Sequence, residues 1–390
     1  DFGFLNNRVN GSLEVYWNTT KDLLMAVPVD NTTGYSYQFQ NFGKTSNRGI
    51  ELSVNVDVIN KGDFRFNVGA IYNYNRNKLD ELPNADQYLY SSYWGSSSLV
   101  PTNDYMFVEG KAIGLVRGFI SEGYYTVDDF NYTNGQYVLK EGVPDITKAL
   151  TATYMHPYDL PAGQTAFPGA AKFRDVDESG TVDLDDATCL GEVMPRHTGS
   201  FQLNFNYKNF DLSTNFNWTA GGKVYNVAAM INASGQEFDG IGAQRASWVA
   251  DAFKVYNVNA AGDLYAVTNP DELRALNANA KYHLPYHQSG ITSSEWLENG
   301  SYLRLQTLTL GYTLPKNWLT KVHVDKIRLY LTATNLFTIT GYSGIDPEVN
   351  ANPTGQSGFY SDLRIFPTLN MDFGTYPRAR TFTFGANITF

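Results

Sequence analysis

The chain has 390 residues, of which 43% are hydrophobic and 15% aromatic, and its formal net charge is −10. The mean hydropathy is −0.32, and no run approaches the roughly 18 consecutive apolar residues that a spanning helix needs, which excludes a helical membrane protein. The acidic balance, without a cluster of Lys or Arg, argues against nucleic acid as a partner, and the single cysteine excludes an internal disulfide framework.

Apolar residues alternate with polar residues along several segments, a pattern typical of strands with one apolar face. One hairpin of this kind is also common in soluble β-sandwiches, where the polar face meets solvent. The alternation predicts about ten antiparallel strands, and the chain ends on one of them, TFTFGANITF. In chain order we place them at 8–18, 48–58, 64–78, 100–110, 112–126, 199–208, 211–226, 301–314, 326–340 and 381–390.

The spacing between these strands favours a membrane barrel over a sandwich. Tight turns are predicted at 59–63, around 111, at 209–210 and at 315–325. They alternate with long connections at 19–47, 79–99, 127–198, 227–300 and 341–380. Outer-membrane barrels have short periplasmic turns and long extracellular loops, so the sequence predicts an all-β antiparallel transmembrane barrel in which Phe390 ends on the periplasmic side.

The connection at 79–99 holds the densest group of aromatic rings, Tyr88, Tyr90, Tyr93 and Trp94. Such rings stack on sugars or pack against peptide side chains at low entropic cost, so they are candidates for contact with a ligand or with a partner that covers the pore. Two other roles stay open. The rings can pack the connection against its neighbours, or they can belong to an aromatic girdle at the membrane interface.

The connection at 127–198 contains a segment with the spacing of a calcium loop, Asp175 to Asp186. Oxygen donors stand at positions 1, 3, 5, 7, 9 and 12, with Gly180 at position 6, and the donors are Asp175, Asp177, Ser179, Thr181 (through its carbonyl), Asp183 and Asp186. Calcium takes six to eight oxygen ligands, which predicts a structural calcium ion here. The last position has Asp where an EF-hand has Glu, as in dockerin-type loops. The alternative is a metal-free loop in which Asp and Ser bond their own backbone.

No catalytic arrangement is recognised, so we predict that the protein is not an enzyme. No G-x-S-x-G, P-loop or G-x-G-x-x-G motif stands on a strand-to-helix turn. Asp346 and Glu348 supply two carboxylates in an outer connection, but solvated loop acids are far commoner than a glycosidase pair.

Several short motifs together resemble the C-terminal part of SusC/RagA-type TonB-dependent outer-membrane transporters. They follow one another in the family's order over most of the chain. They are Tyr16-Trp17 with Lys21-Asp22-Leu23-Leu24, Asn41-Phe42-Gly43 with Asn47-Arg48-Gly49-Ile50-Glu51-Leu52, Phe173-Arg174-Asp175-Val176-Asp177, Gly300-Ser301-Tyr302-Leu303-Arg304-Leu305 with Leu308-Thr309-Leu310-Gly311-Tyr312, Asn335-Leu336-Phe337-Thr338 with Tyr342-Ser343-Gly344 and Asp346-Pro347-Glu348, and Tyr376-Pro377-Arg378.

The resemblance implies a bacterial outer-membrane protein that imports oligosaccharides or peptides with energy from TonB. It also implies a SusD-type lipoprotein lid and a plugged barrel of roughly 22 strands, whose outer face contacts lipid. Residues 1–390 then form the C-terminal part of the barrel, and the plug, through which TonB acts, together with the N-terminal strands, is expected outside this sequence. The alternative is a small stand-alone outer-membrane barrel that acts as an enzyme or an adhesin.

Overall fold

A computed structural model describes the chain except for residues 29, 36, 42, 83–86, 93–98, 152–155, 235–245, 285–289, 321–323 and 350–368. Among the described residues, no helix is both long enough and apolar enough to cross a membrane.

The main element is a sheet of nine strands in which each strand pairs with the next one along the sheet, and all pairs are antiparallel. The strands follow one another in chain order. They are β1 (Phe2–Phe4), β2 (Val9–Lys21), β3 (Lys44–Lys61), β4 (Phe64–Glu81), β5 (His197–Tyr207), β6 (Phe210–Ala220), β7 (Tyr302–Thr313), β8 (Lys326–Thr340) and β9 (Thr381–Thr389).

Short and long connections alternate along this sheet. Residues 5–8, 62–63, 208–209 and 314–325 link strands at one end, and residues 22–43, 82–196, 221–301 and 341–380 link them at the other. This alternation is the one expected for an outer-membrane barrel. The predicted all-β antiparallel barrel class is therefore confirmed.

Two of the predicted barrel strands, 100–110 and 112–126, are wrong, and so is the turn around 111 between them. Strand β4 pairs directly with β5, from Tyr74 opposite His197 to Phe64 opposite Tyr207. The shorter strands Tyr105–Val108 and Leu115–Gly118 lie instead in a separate four-stranded sheet. Three successive residues from Tyr105 are at most 6% exposed, so this segment is buried on both faces and does not meet lipid on one side.

The prediction also missed β1, and it extended the strand after 211 too far. Residues Lys223–Asn226 belong to a different, three-stranded sheet with Leu297–Asn299 and Met371–Asp372. Gly221 and Gly222 both have positive φ, 79° and 75°, a conformation that side chains disfavour and that ends β6.

One face of the nine-stranded sheet is apolar and exposed. Leu13, Val15 and Trp17 on β2 are 57%, 72% and 66% exposed, and Phe382 and Phe384 on β9 are 64% and 73% exposed. Since residues two apart lie on the same face of a strand, each of these sets forms one stripe. So large an exposed apolar surface is unfavourable in water and is the expected outer face of a membrane barrel.

Two rows of aromatic side chains border this apolar face. The lower aromatic row consists of the mutually paired residues Phe64, Tyr207, Phe210 and Tyr312, close to the short connections. The upper aromatic row consists of Tyr72, Tyr74 and Trp218, with the Tyr72 and Trp218 rings 6.1 Å apart. Phe64 and Tyr74 are ten residues apart on β4, or ~33 Å along a strand. With a tilt of about 40° this becomes ~25 Å, the height of the apolar band of such barrels.

The opposite face carries a continuous polar row. Asn67, Asn204, Ser213, Thr309 and Thr332 pair in sequence across β4 to β8. Ser213 donates to Asn204 over 2.7 Å, and the Thr309 and Thr332 hydroxyls are 3.0 Å apart. A polar wall of this kind is expected for the interior of a transporter barrel.

Two glycines let tyrosine rings lie flat on the polar face. A Cβ atom on Gly49 would come within 2.3 Å of the Tyr16 hydroxyl, and one on Gly385 within 2.4 Å of the Tyr330 ring. Both tyrosines therefore require glycine on the neighbouring strand, which explains the Arg48-Gly49-Ile50 motif structurally.

The long connections contain further elements. The strands are Leu24–Pro28, Tyr37–Asn41, Gln87–Tyr90, Leu99–Val100, Tyr105–Val108, Leu115–Gly118, Ser121–Tyr124, Phe130–Thr133, Gln136–Leu139, Asp145–Ile146, Ala171–Phe173, Thr181–Val182, Thr188–Glu192, Lys223–Asn226, Tyr256–Val258, Leu264–Ala266, Gly290–Ile291, Leu297–Asn299 and Met371–Asp372. The helices are Lys148–Thr151, Val227–Ser234, Ala246–Asp251, Pro270–Leu276 and Lys316–Leu319, and the 3-10 turns are Asn31–Thr33, Val127–Asp129, Leu184–Asp186 and Ser294–Trp296.

The connections, rather than the sheet, hold most of the buried hydrophobic residues. One core includes Tyr105, Tyr225, Met230 and Trp296, and a second includes Phe119, Tyr125, Tyr137 and Phe167. Both cores combine residues from the connections after β4 and after β6. These connections thus fold together into a packed body at one end of the barrel sheet.

Candidate functional site

The calcium-type segment 175–186 is attached to this packed body just before its first residue and again near its middle. The strand Ala171–Phe173, just before it, pairs with Ser121–Tyr124, and Thr181–Val182 pairs in parallel with Asp145–Ile146. Val182 is fully buried. Gly180 has φ 87°, so position 6 takes the left-handed conformation that glycine tolerates best.

Three of the predicted donors come together. Asp175, Asp177 and Asp186 each place a carboxylate oxygen within 4.8 Å of the others. Asp186 is fully buried, whereas Asp177 is exposed. Hydrogen bonds from Ser179 lower the pKa of Asp177, so its carboxylate stays ionised and available to a cation.

Backbone amides bond the same carboxylates. Asp186 accepts from the amides of Val176 and Asp183 at 2.5 and 2.8 Å, and Asp175 accepts from the Gly180 amide at 2.7 Å. A carboxylate offers about four lone-pair positions, so these bonds leave positions for a metal.

The other three predicted donors are arranged differently. Asp183 lies outside the group of three carboxylates and accepts from the Asp185 amide at the start of a 3-10 turn. The Ser179 hydroxyl donates to the Thr181 carbonyl at 3.0 Å. The structure therefore combines a cluster of three carboxylates with Asx-turn bonding of the kind that the sequence analysis gave as the alternative to a metal site.

The aromatic group at 88–94 is only partly described, because Tyr93 and Trp94 lie outside the described residues. Tyr90 is 5% exposed, and its ring lies 4.8 Å from the Phe107 ring. Tyr88 is half-buried against the same core. For Tyr90 the packing role fits the structure, and contact with a ligand or lid remains a prediction for the others.

Asp346 and Glu348 both bind one arginine. Arg304 of β7, 2% exposed, donates from Nη2 to Asp346 at 2.5 Å and from Nη1 to Glu348 at 2.8 Å. Glu348 is also 2.6 Å from Arg378. Both carboxylates thus fasten the connection after β8 to the barrel sheet.

A pocket that the sequence did not indicate lies in the connections after β6 and β8. We call it the Trp-Glu pocket, and its described lining consists of Ala229, Ala233, Trp248, Tyr282, Glu295, Trp296, Glu298 and Ser343. Its residues are scattered over more than a hundred positions without a recurring spacing. The one feature of the sequence that could have indicated the pocket is the neighbouring pair Glu295 and Trp296, since a carboxylate is unusual beside a tryptophan in a hydrophobic core.

Comparison with known proteins identifies related sequences. The model of the family described as TonB dependent receptor-like, beta-barrel matches residues 1–336. TonB-dependent receptor P3 of Formosa agariphila is 29% identical over 391 residues, covering 100% of this chain and 33% of the relative. TonB-dependent receptor SusC of Bacteroides thetaiotaomicron is 26% identical over 400 residues, covering 100% of this chain and 31% of the relative. The chain therefore spans about a third of the length of these relatives.

A solved structure has a similar fold. The structure of the RagAB peptide transporter aligns with a TM-score of 0.65 at 21% identity, over 100% of this chain and 34% of the compared chain. This supports the barrel architecture and the placement of the long connections at one end.

Proposed function

The chain belongs to the TonB dependent receptor-like β-barrel family, and we propose that it forms part of a transporter that imports oligosaccharides or peptides across the bacterial outer membrane with energy from TonB. The protein is an outer-membrane β-barrel of a family of receptors rather than enzymes. One observation carries the proposal: the sheet has an apolar outer face between two aromatic rows and a polar inner face.

The whole transporter would have a larger barrel than the nine strands described. Within the described residues, β1 pairs only with β2, and β9 only with β8. Unpaired strand edges are not tolerated in lipid, because every backbone polar group there needs a partner. In the proposed transporter, further strands of a barrel of roughly 22 strands pair with these edges, and a plug on which TonB acts closes the barrel.

The proposed partner on the outer side is a SusD-type lipoprotein that covers the packed connections. Support comes from the similarity to SusC and to a transporter solved as RagAB. The packed body, at the end of the barrel sheet that carries the long connections, would offer such a lid a folded surface.

We also propose that residues 175–186 bind a structural calcium ion, through Asp175, Asp177 and Asp186 with Ser179, Thr181 and Asp183 completing the set. The convergence of three carboxylates within 4.8 Å supports this. Like charges so close repel one another, and a divalent cation would neutralise them.

A deletion experiment tests the import function. Cells lacking the gene and cells lacking TonB are grown in medium with defined mixtures of oligosaccharides and of peptides, and loss of each compound from the medium is followed by mass spectrometry. We expect one subset of compounds to remain unconsumed in both strains, and complementation with the intact gene to restore its uptake. Unchanged consumption in the deletion strain, or uptake independent of TonB, would contradict the proposal.

A further inference from the structure

We propose that the Trp-Glu pocket binds the positively charged end of a basic side chain, lysine or arginine, of a peptide substrate. This inference rests on the proposed import function and selects the peptide class within it. Three observations support it. The pocket has an aromatic wall, Glu295 accepts no hydrogen bond from a described residue, and the charged side chains of the described lining are both carboxylates.

The aromatic wall consists of three rings that pack against one another. The Trp248 ring stacks on Tyr282 with centroids 3.8 Å apart and lies 5.2 Å from the Trp296 ring. Trp248 and Trp296 are 8% and 4% exposed. Rings that are already fixed lose little entropy on binding, and their negative faces attract ammonium and guanidinium groups.

Glu295 lies on this wall without a hydrogen-bond donor from any described residue, although its side chain is only 24% exposed. Burial raises the pKa of Glu295 to about 7, because the charged form loses its hydration. A half-buried carboxylate that lacks a donor gains more from a cationic ligand than from a neutral one.

Glu298 adds a second negative charge that is already stabilised. It accepts from Asn226 Nδ2 at 2.7 Å and from both the amide and the hydroxyl of Ser343 at 2.7 Å. The carboxylate therefore stays in place at the pocket whether or not a ligand is present, and it makes the local potential more negative.

The nearest histidine does not neutralise Glu295. His283 Nε2 lies 3.9 Å from the Glu295 carboxylate, and its Nδ1 is 2.8 Å from the Leu284 carbonyl, so Nδ1 carries the proton. Burial lowers the pKa of His283 to about 4, which keeps the imidazole neutral. The described lining contains two carboxylates and neither Lys nor Arg, so the charge of this described part favours a cation and repels an anion.

The size of the pocket fits one side-chain group. Its volume is about 170 Å³, slightly more than the roughly 150 Å³ of an apolar cavity that accepts benzene. The pocket is too small for a whole oligomer. It would therefore hold one group of a longer substrate whose remainder lies outside.

Binding of matched peptides to the whole protein in detergent tests the inference. The probes are acetyl-Ala-Ala-Lys-Ala-Ala-amide and the same peptide with norleucine, which keeps the shape of lysine up to the missing ammonium group, and calorimetry at pH 8 measures their affinities. We expect the lysine peptide to bind at least about ten-fold more tightly, a difference of about 1.4 kcal/mol.

Two variants locate the effect. Glu295→Gln keeps the size of the side chain but removes its charge, and should reduce the lysine preference to less than about two-fold. Glu141→Gln changes an exposed carboxylate of the same packed body and should leave the preference intact. Should Glu295→Gln fail to fold, the comparison of the two peptides on the unchanged protein still decides.

The outcomes separate this inference from the import function. Equal affinity for the two peptides, absence of binding by both, or a lysine preference that survives Glu295→Gln would each overturn the cation subsite. TonB-dependent depletion of peptides or oligosaccharides from the medium would still support import in any of these cases.

Discussion

Arg304 shows how a single residue of the barrel wall organises a connection outside it. Its guanidinium reaches Asp346 and Glu348 with two nitrogens, and its Nε donates to Thr338 on the neighbouring strand at 3.0 Å. Asp346 and Arg304 are 8% and 2% exposed. A buried pair of this kind contributes little compared with an apolar pair, but breaking it leaves a charge buried alone.

Arg304→Met should therefore release the connection after β8. Loss of one partner of a buried ion pair costs about 3–5 kcal/mol, which corresponds to at least a hundred-fold faster amide exchange in residues 342–349. Hydrogen exchange followed by mass spectrometry measures this. The control is Arg378→Met, whose partner Glu348 is 42% exposed and whose loss should cost less than about 1 kcal/mol. Equal exchange in the two variants would show that Arg304 does not hold the connection.

The sequence placed Asp346 and Glu348 in an outer connection but did not assign their partner. Arg304 is 42 residues from Asp346 along the chain, and single-sequence patterns say little about pairs at such separations. The same limit applies to Glu295, since its pocket is assembled from two connections. Both sites depend on tertiary packing rather than on local spacing.

At the level of elements, the strands that meet lipid on one face were predictable, and those buried on both faces were not. The stripes on β2 and β9 alternate with period two because the two faces meet different environments. Leu115 and Val116 are adjacent and both at most 1% exposed, so the pattern there reports only burial. Barrel strands were predicted at 100–110 and 112–126 because residues buried on both faces were taken for residues that face lipid.

The calcium-type loop is the element whose prediction came from donor spacing alone, and it allows a sharp test. The variant Asp175→Asn with Asp177→Asn removes two of the three convergent charges. With 1 mM calcium, the unchanged protein should be cut by protease within 127–196 more slowly than with chelator, since metal would fix the loop. The double variant should be cut at the same rate in both conditions.

Asp185→Asn is the matched control for this experiment. Asp185 is exposed and lies in the same loop at position 11, where it supplies no predicted ligand. It should keep the response to calcium, with half-maximal protection at about 0.1–1 mM, the range of extracellular calcium modules. Identical cleavage of the unchanged protein with calcium and with chelator would contradict a bound calcium ion and support the metal-free Asx-turn loop.

At the scale of the whole molecule, the chain divides into a barrel wall and a packed body with opposite distributions of hydrophobic residues. The wall places its large apolar side chains on the outside. Leu13, Val15 and Phe384, for example, are 57%, 72% and 73% exposed. The body buries its apolar side chains in two internal cores. Lipid covers the apolar side chains of the wall, and protein covers those of the body. Both groups are thus removed from water, although by different surroundings.

This division predicts opposite responses to the same charge on adjacent residues of β5. Leu203 lies on the apolar face, paired with Val68 and Thr214 and four residues above the lower aromatic row, close to the middle of the membrane. Leu203→Arg should destabilise the folded barrel by about 2–4 kcal/mol, the cost of arginine at the midplane. Gln202, next to it, lies on the polar inner face. Gln202→Arg should therefore lower the stability of the folded barrel by much less than about 1 kcal/mol. Urea unfolding of the whole protein in lipid vesicles measures both, and equal costs would mean that the assignment of the two faces is wrong.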